Sequence, residues 1–103
     1  MLRSGSNHLA TFLNFNPLLM FFVYVIYSPS SDKIYIGYTS DLERILFEHN
    51  HAIKGYTLKF RPWVILFSEQ YPDKKSAMTR EKQLKTGYGR EFIRKFIETR
   101  FKK

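Results

Sequence analysis

The sequence contains no cysteine, which excludes disulfides and thiolate metal centres and leaves nothing to direct the chain to an oxidising compartment. A cytoplasmic location is expected. Long hydrophobic runs are missing too. The apolar stretch from Leu9 is interrupted by Asn14, Asn16 and Pro17, so it is too short and too broken to span a bilayer. It also lacks the small-residue cleavage site of a signal peptide. No internal repeat or low-complexity tract occurs. Acidic residues are scarce where basic ones crowd. Residues 1–73 hold six basic and six acidic side chains, whereas residues 74–103 hold eleven basic ones against Glu81, Glu91 and Glu98. The C-terminal segment therefore supplies the whole net charge of +8.

A basic segment of this kind is the usual footprint of a polyanion partner, nucleic acid before membrane surface. The plain alternative is a solvated helix rich in lysine. At 103 residues and 12.4 kDa the chain makes one domain with a core large enough to fold alone. Its aromatic content of 17% suits a compact mixed domain rather than a disordered one.

Residues 1–19 read as a flexible N-terminal extension ahead of a domain over 20–103. Met20 stands directly before the first strand, and the hypothesis is that the extension lies upstream of the natural start. Phe21 to Tyr27 and Lys33 to Tyr38 are β-branched and aromatic runs, and Ser28-Pro29-Ser30-Ser31-Asp32 between them is turn chemistry, so the two are expected to pair as a hairpin. Ser40 or Asp41 caps a helix to about His51, with Leu42, Ile45, Leu46 and His49 on one face. Residues 52–62 read as a loop bearing Lys54, Gly55, Lys59 and Arg61. Trp63 to Glu69 is a third strand. Asp73 caps a helix to about Lys85, Gly87 and Gly89 break the chain, and a last helix buries Phe92, Ile93, Phe96 and Ile97 while exposing Arg90, Arg94, Lys95 and Arg100. The order β-β-α-β-α-α implies an α+β fold: a small three-stranded, mainly antiparallel sheet flanked by three helices.

Four residues stand out chemically. Glu81 falls four residues after Ala77 and three before Leu84, so a carboxylate occupies an otherwise apolar stripe. Burying it unpaired is costly, so a partner is expected: a cation, a basic side chain or a metal; the plain reading is a salt bridge to Arg80, Lys82 or Lys85, or an apolar stripe narrower than this spacing suggests. His49 shares a helix face with Leu42 and Ile45, where a satisfied core histidine is the plain reading. Tyr24 and Tyr35 are ordinary half-buried strand residues when taken singly. A phenol has a reference pKa of about 10, so a tyrosine acting as a base needs a cation, an imidazole or metal-bound water beside it. Gly37 permits a close backbone approach or a bulge.

Val23-Tyr24, Tyr35-Ile36-Gly37, a helix bearing His49, and Arg80-Glu81-Lys82-Gln83-Leu84-Lys85 together resemble the GIY-YIG nuclease superfamily. The likeness is to its small single-domain group, related to the N-terminal nuclease domain of an excinuclease, a DNA repair enzyme. It runs from about Met20 to Ile97. Gly37-Tyr38-Thr39-Ser40-Asp41-Leu42-Glu43-Arg44 and Arg61-Pro62-Trp63 are also typical of that group. The resemblance implies a single-metal hydrolase acting on DNA, with no membrane association. Glu81 would bind Mg2+ or Mn2+. Tyr35 would be the general base or the group that positions the water, and Tyr24 and His49 would assist at the phosphate. Gly37, Arg44, Lys54, Lys59, Arg61, Arg80, Lys85 and Arg90 are the expected nucleic-acid contacts.

Three departures from the pattern matter. Phe22-Val23-Tyr24 replaces Gly-Ile-Tyr, and no asparagine follows Asn50. Ile45 stands ten residues after Tyr35, where the family carries a phosphate-facing arginine. Arg44 is adjacent, but one helical residue is about 100° of rotation. Losing that guanidinium is expected to slow cleavage by about 10²–10³-fold. The alternative is a catalytically weak or inactive nucleic-acid-binding module of the same fold. A third reading is a protein-interaction domain using Ile45 and Phe47. No motif identifies a protein partner.

Overall fold

A computed structural model describes residues 20–52 and 55–101. The extension expected over 1–19 and the expected contact Lys54 lie outside the described residues. The elements are β1 (Phe21–Ser28), β2 (Lys33–Thr39), α1 (Leu42–His51), α2 (Tyr56–Lys59), β3 (Val64–Tyr71), α3 (Lys74–Leu84) and α4 (Gly87–Phe101). The three strands form an antiparallel sheet in the order β2-β1-β3, as the α+β reading requires.

β1 is central and buried from Val23 to Ser28 because helices cover both of its sides. Strand alternation sends Val23, Val25 and Tyr27 to one face, where they pack with Ile36, Leu66, Ala77, Leu84, Ile93 and Ile97 beneath α3 and α4. Each such aliphatic side chain contributes roughly 1.5–3 kcal/mol on burial. Tyr24 and Ile26 point the other way, toward Trp63 and the α1 residues Leu42, Ile45 and Leu46.

The hairpin turn closes through Asp32, whose amide donates to the Ser28 carbonyl at 2.8 Å and whose φ of +53° is a left-handed value that Asp tolerates. Its Oδ1 accepts from Tyr27 Oη and from Arg94 Nη1, both at 2.8 Å, tying the turn to α4. In β3 the register with β1 slips between Val25 and Ile26, leaving Leu66 as an extra residue. Arg100 donates to the Leu66 carbonyl at 2.6 Å and so satisfies that bulge.

The helix starts follow capping chemistry. Asp41 accepts from the Arg44 amide at 3.1 Å and Asp73 from the Ser76 amide at 2.7 Å. Three boundaries differ from the sequence reading. β3 runs from Val64 to Tyr71, Trp63 being held just before it. The stretch 52–62 contains the single turn α2, too short for a periodic signal. Gly87 and Gly89 do not break the chain but form the first turn of α4. A Cβ on Gly89 would strike the Gln83 carbonyl and the Leu84 backbone, so glycine is there for the tight α3–α4 approach. In α4, Ile93 and Ile97 are buried as expected, but Phe92 is exposed and Arg94 is drawn partly inward by Asp32.

Candidate active site

β1 and β2 set Tyr24 directly opposite Gly37 on the α1 face. A Cβ built on Gly37 would come within 2.6 Å of the Tyr24 hydroxyl and 2.8 Å of its ring carbon Cζ. The phenol therefore lies across a strand position that only glycine leaves open. Tyr35, two residues earlier on β2, stacks beside it with ring centroids 6.3 Å apart and 22° between planes.

α1 brings the third ring. His49 Nε2 lies 3.0 Å from Tyr24 Oη, and its ring centroid is 4.7 Å from that of Tyr35. The next residue fixes this end of the helix. The Asn50 side chain accepts from the Trp63 amide at 2.6 Å and donates to the Trp63 carbonyl at 3.1 Å. Arg61 Nη1 donates to the Ala52 carbonyl at 2.9 Å, and the Trp63 indole donates to the Thr57 carbonyl at 2.9 Å. α1, α2 and the start of β3 are thus held together directly behind His49.

Burial pushes the Tyr24 phenol well above its ordinary value, and Tyr35, Glu81 and Glu48 push it further. The phenol is protonated at neutral pH. Burial lowers the His49 imidazole, outweighing the opposing effect of Glu48, so His49 is neutral there. The pair shares one hydrogen bond in either imidazole tautomer.

Glu81 lies on α3. Its side chain is 17% exposed and its Oε2 accepts from Lys85 Nζ at 3.1 Å. The salt bridge weighed from the sequence is therefore present, with Lys85 as the partner. Lys85 in turn lines a depression with Tyr35, and the Glu81 charge adds to the upward push on the Tyr24 phenol. Among the described residues, no three His, Asp or Glu side chains form a cluster able to hold a metal. One hard carboxylate with room for water suits a hydrated Mg2+ or Mn2+ and does not suit a softer ion that needs several protein ligands. A cation there would compete with Lys85.

The remaining expected contacts separate into two groups. Lys85 and Arg90 line a depression of about 330 Å³ with Ile34, Tyr35, Ile36 and Tyr56. Lys59 lies near the Phe60 ring, which Tyr56 meets edge-on at 5.0 Å. Arg44, Arg61 and Arg80 are committed elsewhere. Arg44 pairs with Glu48 at 2.7 Å on the exposed side of α1, as the 100° argument predicts. Arg61 holds backbone carbonyls. Arg80 makes a two-point pair with Glu69, Nε–Oε1 2.8 Å and Nη2–Oε2 3.2 Å. Burial alone would raise the Glu69 carboxyl, but the Arg80 and Tyr71 hydrogen bonds outweigh it and hold the group low. Ile45 packs into the apolar cluster of Tyr24, Ile26 and Trp63, and Phe47 is exposed and stacked on His51 at 3.9 Å.

The sequence reading gives no role to Asn50 or Tyr56. The Asn50 clamp spans 13 residues and leaves no local pattern, whereas Tyr56 carries one usable signal, an aromatic directly after the loop glycine Gly55.

The family model described as the GIY-YIG catalytic domain matches residues 20–95. The chain belongs to the GIY-YIG family. A UPF0213 protein of Staphylococcus haemolyticus is 37% identical over 81 residues, covering 77% of this chain and 95% of that protein. A UPF0213 protein of Staphylococcus epidermidis is 34% identical over 79 residues, covering 75% and 93%. These relatives make a small single-domain GIY-YIG group. No solved structure matches significantly. GIY-YIG membership supports a nuclease-type function in general, with nucleic acid as substrate, and nucleases of this family generally use a divalent metal. No described helix is long and apolar enough to cross a membrane.

Proposed function

We propose that this GIY-YIG domain is a metal-dependent DNA endonuclease whose site is built from Tyr24, Tyr35, His49 and Glu81. The observation that carries the reading is the Tyr24–His49–Tyr35 cluster, with a neutral imidazole against a protonated phenol. Tyr35 positions the attacking water and takes its proton at Oη as it passes its own to His49 Nδ1, which is free to accept in the tautomer whose Nε2–H donates to Tyr24. Proton handling of this kind contributes typically ~10²–10⁴-fold. Tyr24, kept protonated by burial, holds the imidazole in place. Glu81 would hold Mg2+ or Mn2+. Such an ion, when bound, polarises the phosphate and stabilises the leaving oxygen. Gly37, Lys85 and Arg90 give the strand close access and cationic walls.

Ile45 lowers the expected rate by about 10²–10³-fold relative to a site with a phosphate-facing guanidinium. Its packing against Tyr24, Ile26 and Trp63 favours the second reading, a nucleic-acid-binding module with weak or no cleavage. A plasmid-nicking assay in magnesium or manganese separates the two. The nuclease reading expects nicking by the wild type, none by Glu81→Ala and faster nicking by Ile45→Arg. Salt-sensitive binding without nicking, in Ile45→Arg as well, supports the binding module instead.

A further inference from the structure

An aromatic track leads away from the cluster. Tyr35 meets Tyr56 at 6.3 Å, and Tyr56 meets Phe60 at 5.0 Å. Tyr56 is 50% exposed although its ring is large and apolar. It forms a wall of the 330 Å³ depression beside Tyr35 and also of a neighbouring one of about 640 Å³ lined by Gly55, Leu58, Lys59 and Phe60. Both fall in the range of roughly 300–1,000 Å³ typical of small-ligand pockets. Cations border the track throughout. Lys33 Nζ lies 5.5 Å and Lys59 Nζ 6.0 Å from the Phe60 ring centre, and Lys85 and Arg90 stand beside Tyr35. Of these, Lys85 also pairs with Glu81 at 3.1 Å and Arg90 Nε donates to the Lys85 carbonyl at 3.3 Å, which holds both cations at the edge of the track.

One exposed ring, Tyr56, between two partly exposed ones and interleaved with cations suits a strand whose bases are free to stack. A duplex keeps its bases stacked inside and presents phosphates, so half-open tyrosine and phenylalanine rings gain nothing from it. We propose that the track Tyr35–Tyr56–Phe60, bordered by Lys33, Lys59, Lys85 and Arg90, seats an unpaired DNA strand and delivers it to the adjoining site. This deepens the nuclease reading and rests on it for what happens to the strand, but the binding itself does not require cleavage.

The test is fluorescence anisotropy in EDTA with a labelled mixed-sequence oligonucleotide, free or annealed to its complement. The single strand should bind at least about tenfold tighter than the duplex. Tyr56→Ala should weaken it by about 5- to 100-fold, the range for losing one base–aromatic stack, with duplex binding unchanged and with Tyr56→Trp retaining the affinity. Lys59→Ala should flatten the dependence of log K on log salt by about 0.7. If circular dichroism finds Tyr56→Ala unfolded, the double change Lys33→Ala with Lys59→Ala, at two exposed positions, carries the same expectation of selective single-strand loss. Equal affinity for the two forms, or equal loss in both, overturns the inference. Tight single-strand binding without nicking in magnesium counts against the nuclease and leaves the track standing. Nicking of duplex with no strand preference does the reverse.

Discussion

The two faces of the sheet share one central strand and do different work. Beneath α3 and α4 the contacts are closed, with Val23, Val25, Tyr27, Leu84, Ile93 and Ile97 almost wholly shielded from water. Beneath α1 and α2 the Tyr24–His49 hydrogen bond lies among aromatic and aliphatic side chains, and Tyr35, His49 and Ile45 remain partly open. Alternation along β1 produces both from consecutive residues, Val23 facing one way and Tyr24 the other. The separation is partial, because Lys85 at the end of α3 and Arg90 of α4 line the depression beside Tyr35. Changes to one face should be readable apart from changes to the other.

The largest effect is expected on the closed face. Leu84→Ala should destabilise by about 2–5 kcal/mol, a typical loss for a buried leucine. In thermal unfolding that corresponds to a fall of roughly 10 °C or more. On the open face, Tyr24→Phe removes the hydroxyl from His49 at a stability loss of only about 1 kcal/mol. Nicking should nevertheless drop by about ten- to a hundredfold if the pair manages a proton.

A pH series sharpens the contrast. The folded pKa of His49 lies below its ordinary 6.5, so the unfolded chain binds the extra proton first as pH falls. Stability should decline as pH is lowered through the window just beneath 6.5 and level off below the folded value. The His49→Gln variant should lack this component of the decline, and an NMR titration of the His49 ring should place its midpoint under 6.5. The smallest effect belongs to the outer side of α1. Arg44 and Glu48 are about half exposed, so Arg44→Ala should change stability by less than about 1 kcal/mol in urea unfolding.

Much of this division is legible in the residues. The β-branched and aromatic runs mark β1 and β2, Asp41 and Asp73 announce their helices, and the 100° step from Ile45 to Arg44 implies that Arg44 serves the surface. What escapes a linear reading depends on distance in the chain or on very short elements. Four residues of α2 give no periodicity, so the exposed Tyr56 reads as loop. The bulge at Leu66 and the clamp of Asn50 on Trp63 arise only when strands and helices meet. Gly89 reads as a breaker because its reason, the nearby Leu84 backbone, lies in another helix. Arg80 and Arg61 read as available to DNA because Glu69 and the Ala52 carbonyl are tertiary partners.

The most direct test of the two-face account is Gly37→Ala, assayed for melting temperature and for metal-dependent plasmid nicking on the same preparation. The added methyl falls where the Tyr24 ring lies, so it should dislodge Tyr24 from His49 while the closed face beneath α3 and α4 stays packed. The account predicts nicking reduced by about 10²-fold or more, with melting lowered by only a few degrees. Wild-type nicking in the folded variant, or activity lost only in proportion to unfolding, would contradict it.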